Sequence, residues 1–285
     1  MTSLIQVQKK IMNCMWDIKC YPQTHLSKER SLELIEEAFL KAIEIENYFS
    51  VFKDSPFNKI NDQAGTDKVK VSRECIDILL KAKKYYRETD GNFNIAFLGL
   101  EGFRDASLIE VDEDNLEVYL PYSEMKISLG GMGKGYAVDV VHNFLVSHGL
   151  INFLINGSGD LKSHSHPNAP RAWRVGITNP FNLKNTIGQI EIKNSAVATS
   201  GQYKKRDHIQ STHLNLPLSV TILGATTMEC DIWGTYISTL SIPEGLRALN
   251  RSKQFGFIVD QSGKCHQSRR SYRSFQQVVQ RGVHG

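Results

Sequence analysis

ISLGGMGKGYAVD, residues Ile127 to Asp139, sets four glycines and a lysine between an apolar run and a helical one. Glycines at such a junction let the backbone approach a ligand and leave N–H groups exposed. The start of the following helix adds a positive dipole end that favours phosphate, and Lys134 adds a point charge at the same place. Two familiar phosphate loops fail against this stretch. A GxxxxGK[ST] loop needs glycine where Ser128 stands and a hydroxyl where Gly135 stands. A dinucleotide fingerprint needs GxGxxG, but Gly131, Gly133 and Gly135 are spaced GxGxG. Neither a kinase-like loop nor a Rossmann loop fits, and a tight ligand-free turn between strand and helix remains the plain alternative.

Outward from the turn, MKISL reads as a strand on one side. On the other, YAVDVVHNFLVSHG reads as a helix with Val138, Val141 and Leu145 on one face and Gly149 as its stop. Residues 6 to 20 read as one opening strand containing Met12 and Trp16. Ser27 is placed to cap a long helix whose apolar positions are Leu32, Ile35, Phe39, Ala42, Ile43 and Phe49. SPFNKINDQAG reads as a polar loop, and Ser72 to Arg87 as a second helix with a Cys75, Ile76, Ile78, Leu79, Leu80, Ala82 stripe. NLEVYL is a short strand. INFLING is a buried strand ending in the turn GSGD, and His164 and His166 fall in a polar loop. WRVGIT, GQIEIK, SAVATS and LSVTILG are further short strands, followed by a helix from Met228 to Leu240 and the strand FGFIVD. Strands and helices mix without a steady β-α-β rhythm. The expectation is an α+β fold with mixed, largely antiparallel sheets and packed helices.

The bulk properties bound the function. The chain has 285 residues, 41% hydrophobic and 22% charged, which excludes a collagenous, wholly disordered or disulfide-stapled protein. No apolar run approaches the ~18 residues of a membrane span. The formal charge of +4 is carried by the end of the chain: Lys264, Arg269, Arg270, Arg273 and Arg281 follow Ser262 with no acidic residue, so residues 1–261 are close to neutral. A domain over 1–261 and a basic tail over 262–285 are expected, without nucleic acid as a partner. Five scattered cysteines with no CxxC pair argue against a disulfide framework or a zinc site. The N-terminal residues contain no apolar signal region, so a cytoplasmic location is expected.

A second informative segment is CDIWGTYIST. Asp231 and Thr235 are four apart and share one face of a helix. A carboxylate beside a hydroxyl makes half of a hard-oxygen site suited to Mg2+ or Ca2+ and poor for zinc. The competing interpretation is N-terminal capping, with Asp231 satisfying the start of its own helix and no metal involved.

Together the two segments resemble the ApbE family, the FAD:protein FMN transferases. SLGGMGKGYAVD is similar to that family's DLGGIAKGYAVD, and SVTILGATTMECDIWGT to its strand followed by a helix with Asp and Thr four apart. Lesser landmarks follow in order: MNCMWDI at Met12, FSVFKDSPFNKIN with Phe52 and Asn61, TDGNFNIA from Thr89 to Ala96, and SAVATSGQY from Ser195 to Tyr203. The likeness runs from about Met12 to Leu240.

The resemblance implies binding of FAD and Mg2+, cleavage of the pyrophosphate with release of AMP, and attachment of FMN by a phosphoester to Thr or Ser of a client protein. It implies metal ligation by Asp231 and Thr235, the carbonyl of Gly133 and the chain near Gly234. It also implies a flavin nucleotide lined by Met12, Phe52, Asp90, Gly91, Asn92, Phe93, Gly130, Lys134 and Tyr136, with His208 near the reacting phosphate as the base. His208 and Asp231 are thus the catalytic candidates. Two departures stand out: Ser128 replaces the family's Asp, and QSTHLNLP replaces DPRTG after the histidine. An FAD pyrophosphatase yielding FMN and AMP, or a non-catalytic FAD binder, are the alternatives.

Overall fold

The structure, a computed structural model, describes residues 4–166, 168, 171–201, 216–252, 254–269 and 275–277. In chain order its elements are β1 (Ile5–Ile11), β2 (Cys14–Cys20), α1 (Lys28–Phe49), α2 (Asn58–Asp62), β3 (Val69–Lys70), α3 (Arg73–Glu88), β4 (Glu110–Asp112) and β5 (Glu117–Tyr119). There follow α4 (Gly133–Ser147), β6 (Phe153–Gly157), β7 (Asp160–His164), β8 (Trp173–Asn179), β9 (Asn182–Ile192), β10 (Ala196–Gly201) and β11 (Ser219–Gly224). Last come α5 (Thr227–Ser238), α6 (Ile242–Arg251), β12 (Phe255–Val259), β13 (Cys265–Gln267) and β14 (Phe275–Gln277). Contacts divide the chain into two units, residues 1–42 with 134–285, and residues 43–133.

The first unit holds an eight-stranded sheet, β1-β2-β6-β7-β10-β11-β12-β13, and a three-stranded sheet, β14-β9-β8. Strand pairing among the described residues is antiparallel throughout, as expected for α+β. Leu154, Val197, Leu223 and Phe257 of the large sheet share a buried cluster with Val175 and Ile190 of the smaller one. Alternation along β10 turns Ala196 and Ala198 the other way, and α5 packs on β10 and β11.

The opening segment, expected as one strand, is a hairpin. Met12 and Asn13 take φ of 53° and 58° and close a two-residue turn between Ile11 and Cys14. Left-handed φ at both loop residues matches the twist of the flanking strands. No glycine announces the turn, which is why the strand pattern reads straight through it.

The long helix and its cap match expectation, with the Arg30 N–H donating to Ser27 Oγ at 3.0 Å. Its buried face is Leu34, Ile35, Ala38, Phe39 and Ala42, whereas Leu32 is exposed. The first unit also contains α6, which no sequence expectation covered. Its signal was SIPE, a capping box in which Ser241 and Glu244 satisfy one another with Pro243 in the first turn. His164 is not in a loop. It ends β7, its ring stacked on Phe153 at 5.4 Å and edge-on to His142 at 5.5 Å. Burial lowers the pKa of both histidines, that of His142 to about 4. Two strands, β13 and β14, lie within the segment expected as a tail. Asp260, which accepts from Ser262 N, Lys264 N and the His266 ring, folds the start of that segment back on β12.

The second unit contains α2, α3, the sheet β3-β5-β4 and the end of α1. SPFNKINDQAG, expected as a loop, contains α2, anchored by the buried Phe57 and Ile60. The second helix falls where expected, as α3, and Ser72, expected as its first residue, is its N-cap, accepting from Cys75 N at 3.2 Å.

MKISL forms no strand. The Ile127 N–H donates to Asn61 Oδ1 at 2.7 Å, and Asn61 Nδ2 donates back to the Ile127 carbonyl at 3.0 Å. One amide side chain thus does what a neighbouring strand would do, immediately before the glycine-rich turn. Ile127 is fully buried. Asn61→Ala strands both backbone groups at ~1–3 kcal/mol each, and is expected to cost roughly 2–6 kcal/mol in all. Urea unfolding should show the loss as a lowered midpoint at unchanged slope.

Candidate functional site

α4 and α5 each supply the other's N-terminal partner. Asp139, on α4, accepts from Thr227 N at 3.0 Å and Met228 N at 2.9 Å, the first two N–H groups of α5. Asp231, on α5, accepts from Gly135 N in the first turn of α4 at 3.3 Å. Free N–H groups and the positive dipole end of a helix both favour a carboxylate there. Gly135 and Asp139 are four apart, as are Thr227 and Asp231, so each helix presents its start and its acid on one face.

Gly135 permits the contact. A Cβ there would lie 2.6 Å from the Thr227 carbonyl oxygen and 2.8 Å from Met228 N and Cα. At Gly130 and Gly133 an added Cβ would make ordinary contacts of 3.5 Å or more. The glycines of the turn are therefore not equivalent: the third of the GxGxG set serves helix packing.

The capping alternative for Asp231 is answered by the helix start. Thr226 is the N-cap of α5, accepting from Glu229 N, and Asp231 lies a full turn inside. The Asp231 carboxylate is buried, 4% exposed. The Lys134 ammonium stands 3.5 Å from Asp231 Oδ2 and forms a close ion pair with Asp160, itself 1% exposed. Burial opposes the charge on Lys134, but the Asp231 and Asp160 carboxylates outweigh it and raise the lysine pKa above its ordinary value. Lys162, also buried, supports the neighbouring corner. Its ammonium lies 3.7 Å from Asp139 and donates to the Ala225 carbonyl at the entry to α5.

Asp160 was not among the residues expected from the sequence, where GSGD reads as a turn alone. Ser158 and Gly159, at φ 60° and 102°, close the two-residue β6–β7 hairpin and leave Asp160 as the first residue of β7, opposite Gly157. Its available signal was an acid directly after a two-residue turn, at the head of a strand otherwise buried.

The other expected residues fall as follows. Thr235 is half-buried, one turn after Asp231 on the same face of α5. Gly234 packs against β10, where a Cβ would meet Ser200 Oγ at 2.9 Å. Met12 holds its left-handed turn position, and Tyr136 is half-buried in α4. In the second unit, Phe52 is 90% exposed, an aromatic ring left open to solvent. Asp90 and Gly91, at φ 50° and 80°, reverse the chain after α3. Asn92 Nδ2 donates to the Thr89 carbonyl, and the Phe93 ring is buried edge-on to Tyr85. Gly130 is exposed at the tip of the turn, and its N–H donates to Ser128 Oγ at 3.3 Å. The serine in place of the family's acid therefore still ties the turn. Gly133 begins α4, its N–H donating to the Leu129 carbonyl. His208 lies outside the described residues.

Among the described residues no three His, Cys, Asp or Glu side chains cluster to hold a metal. Any ion here would rest on one or two carboxylates with hydroxyl, carbonyl and solvent oxygens, the sparse hard-oxygen set that suits Mg2+. Two buried carboxylates also demand cationic charge, and Lys134 supplies one unit of it.

A lysine held between two buried acids, where two helix starts meet, is the charged centre of this corner of the fold. A model of the ApbE family matches residues 12–259, and the chain belongs to that family. The FAD:protein FMN transferase of Klebsiella pneumoniae (strain 342) is 27% identical over 241 residues, 72% of this chain and 74% of that protein. The Escherichia coli (strain K12) protein of the same name is 22% identical, covering 92% of this chain and 86% of its own. Among solved structures, the ApbE protein from Thermotoga maritima superposes with a TM-score of 0.81 at 20% identity, covering 94% of this chain and 97% of its own. The apo Pseudomonas stutzeri flavinyl transferase ApbE gives 0.80 at 17% identity, covering 94% and 95%. These two likenesses establish the fold. Among the described residues no helix is long and apolar enough to cross a membrane.

Proposed function

We propose that this chain is a Mg2+-dependent FAD:protein FMN transferase, which cleaves FAD, releases AMP and leaves FMN joined by a phosphoester to a Thr or Ser of a client protein. The observation that carries the reading is the Lys134 ammonium fixed between Asp160 and Asp231 at the start of α4. Family membership and the names of the relatives support the reaction class.

The donor set fits the metal. Asp231 and Thr235 would hold it, with carbonyl oxygens at Gly133 and near Gly234. When bound, Mg2+ supplies neutralisation of the negative charge that builds on a splitting pyrophosphate. Lys134 contributes fixed positive charge at the start of α4, where the positive dipole end also favours phosphate oxygens. Asp231, with its N–H partner in α4, keeps the two helix starts in register. Phe52 offers an exposed ring that a planar flavin can cover, and Met12, Asp90 to Phe93, Gly130 and Tyr136 complete the proposed nucleotide contacts. His208 is assigned as the base that takes the proton from the acceptor hydroxyl. Five free cysteines suit a reducing compartment, and we place the protein in the cytoplasm.

Incubation of the purified protein with FAD and Mg2+, with and without a client protein, tests the reading. AMP release together with flavin fluorescence on the denatured client is the expected result. AMP without labelling of any client would make the protein a pyrophosphatase instead, and bound FAD without AMP would make it a binder.

A further inference from the structure

Asp160 is buried, ion-paired and absent from the residue set that the family likeness supplied. It sits on a rigid mount. The β6–β7 hairpin turns in two residues, both left-handed, and Gly159 N donates to Asn156 Oδ1 at 2.8 Å. Gly157, opposite Asp160, faces α4 so closely that a Cβ there would meet Val138 Cγ2 at 2.8 Å. The carboxylate is thereby fixed relative to the helix that carries Lys134.

The arrangement has three charges: two buried acids and one ammonium, closer to Asp160 than to Asp231. A cation that takes Asp231 at Oδ2 must displace the ammonium from that oxygen. With Asp160 present, the lysine keeps its nearer partner and remains a paired charge. Without that partner, the ammonium has only Asp231 of these two acids, so it competes with the incoming ion and is left beside it uncompensated. Leaving a buried charge unpaired is far more costly than rearranging a pair.

We propose that Asp160 is a positioning residue: it parks the Lys134 ammonium, so that Asp231 is free to take a divalent cation while the lysine stays charged and in place. The proposal rests on the metal reading of Asp231 given above. It assigns Asp160 no contact with the metal, only with the lysine.

A double-mutant cycle on Mg2+ affinity separates these roles, read by isothermal titration of the full chain with MgCl2 in the absence of FAD. Asp160→Asn is expected to weaken Mg2+ binding at least tenfold more when Lys134 is present than when it is replaced in Lys134→Met. An equal loss in both backgrounds would show that Asp160 acts on the ion directly, by charge or ligation, and would overturn the proposal. No loss in either background overturns it as well. The comparison does not hinge on one fragile variant. If Asp160→Asn fails to fold, Asp160→Glu takes its place in both backgrounds, with the same tenfold difference expected from its displaced carboxylate. Thermal unfolding of each variant is recorded alongside. Absence of Mg2+ binding by the unsubstituted protein removes the metal reading itself, and the proposal with it. Binding without coupling removes the proposal alone.

Discussion

Asp231→Ala is expected to abolish Mg2+-dependent FMN transfer, with turnover falling by about a hundredfold or more, the scale on which loss of a preorganised charge-stabilising group acts. Three consequences converge on this one side chain. The substitution removes the carboxylate proposed to hold the metal. It leaves Gly135 N without the acceptor it finds on α5. It also leaves the Lys134 ammonium to Asp160, the nearer of its two acids. Asp231→Asn separates these effects. Its amide oxygen can still accept from Gly135 N, so the helix contact persists while the negative charge is lost. Both variants should therefore lose transfer, with Asp231→Asn retaining more of the thermal stability. Client labelling at the unsubstituted rate by either variant, measured as flavin fluorescence over time, would remove Asp231 from the metal site.

Gly135→Ala carries the second large effect, and it is one of stability. Alanine favours a helix over glycine by up to ~1 kcal/mol, the full value applying in the interior and less in the first turn, so propensity alone predicts a gain. The tertiary contact reverses the sign. A Cβ at 2.6 Å from the Thr227 carbonyl and 2.8 Å from the Met228 backbone has no flexible side chain to push aside, because the obstacle is the start of α5 itself. The helices must part, and the bonds from Thr227 N and Met228 N to Asp139 stretch with them. Overpacking of this kind costs ~1–3 kcal/mol and more where backbone must move, so a net loss of roughly 2–4 kcal/mol is expected. Denaturant unfolding measures it. The same substitution at Gly133, where the nearest atom would be the Leu129 Cβ at 3.5 Å, serves as the control and should change stability little.

The sequence was informative where chemistry is local. The glycines and lysine of GGMGKG marked the turn into one helix, and the four-residue spacing of Asp231 and Thr235 in CDIWGT placed both on one helix face, because both signals span only a few residues. Ser27 announced its helix for the same reason, since a cap bonds to N–H groups within three residues. Elements built on distant partners were misread. MKISL has a strand's composition, yet its partner is the amide of Asn61, sixty-six residues earlier. The turn at Met12 and Asn13 has strand-like neighbours and no glycine, and the hairpin pairing sustains its positive φ against local preference. α6, by contrast, carried a readable capping box.

By itself, then, the sequence determined the fold class, the positions of α1, α3, α4 and α5, and the two segments that carry acid, lysine and hydroxyl, because periodicity and capping act over a few residues. Tertiary structure alone decided that Asp139 and Asp231 cap each other's helices, that Gly135 is a packing glycine, and that Asp160 holds Lys134. Those contacts join positions 26 to 96 residues apart. Hydrogen bonds and ion pairs depend on distances of a few ångströms, and no separation along the chain encodes such a distance until the sheet and the helices have packed.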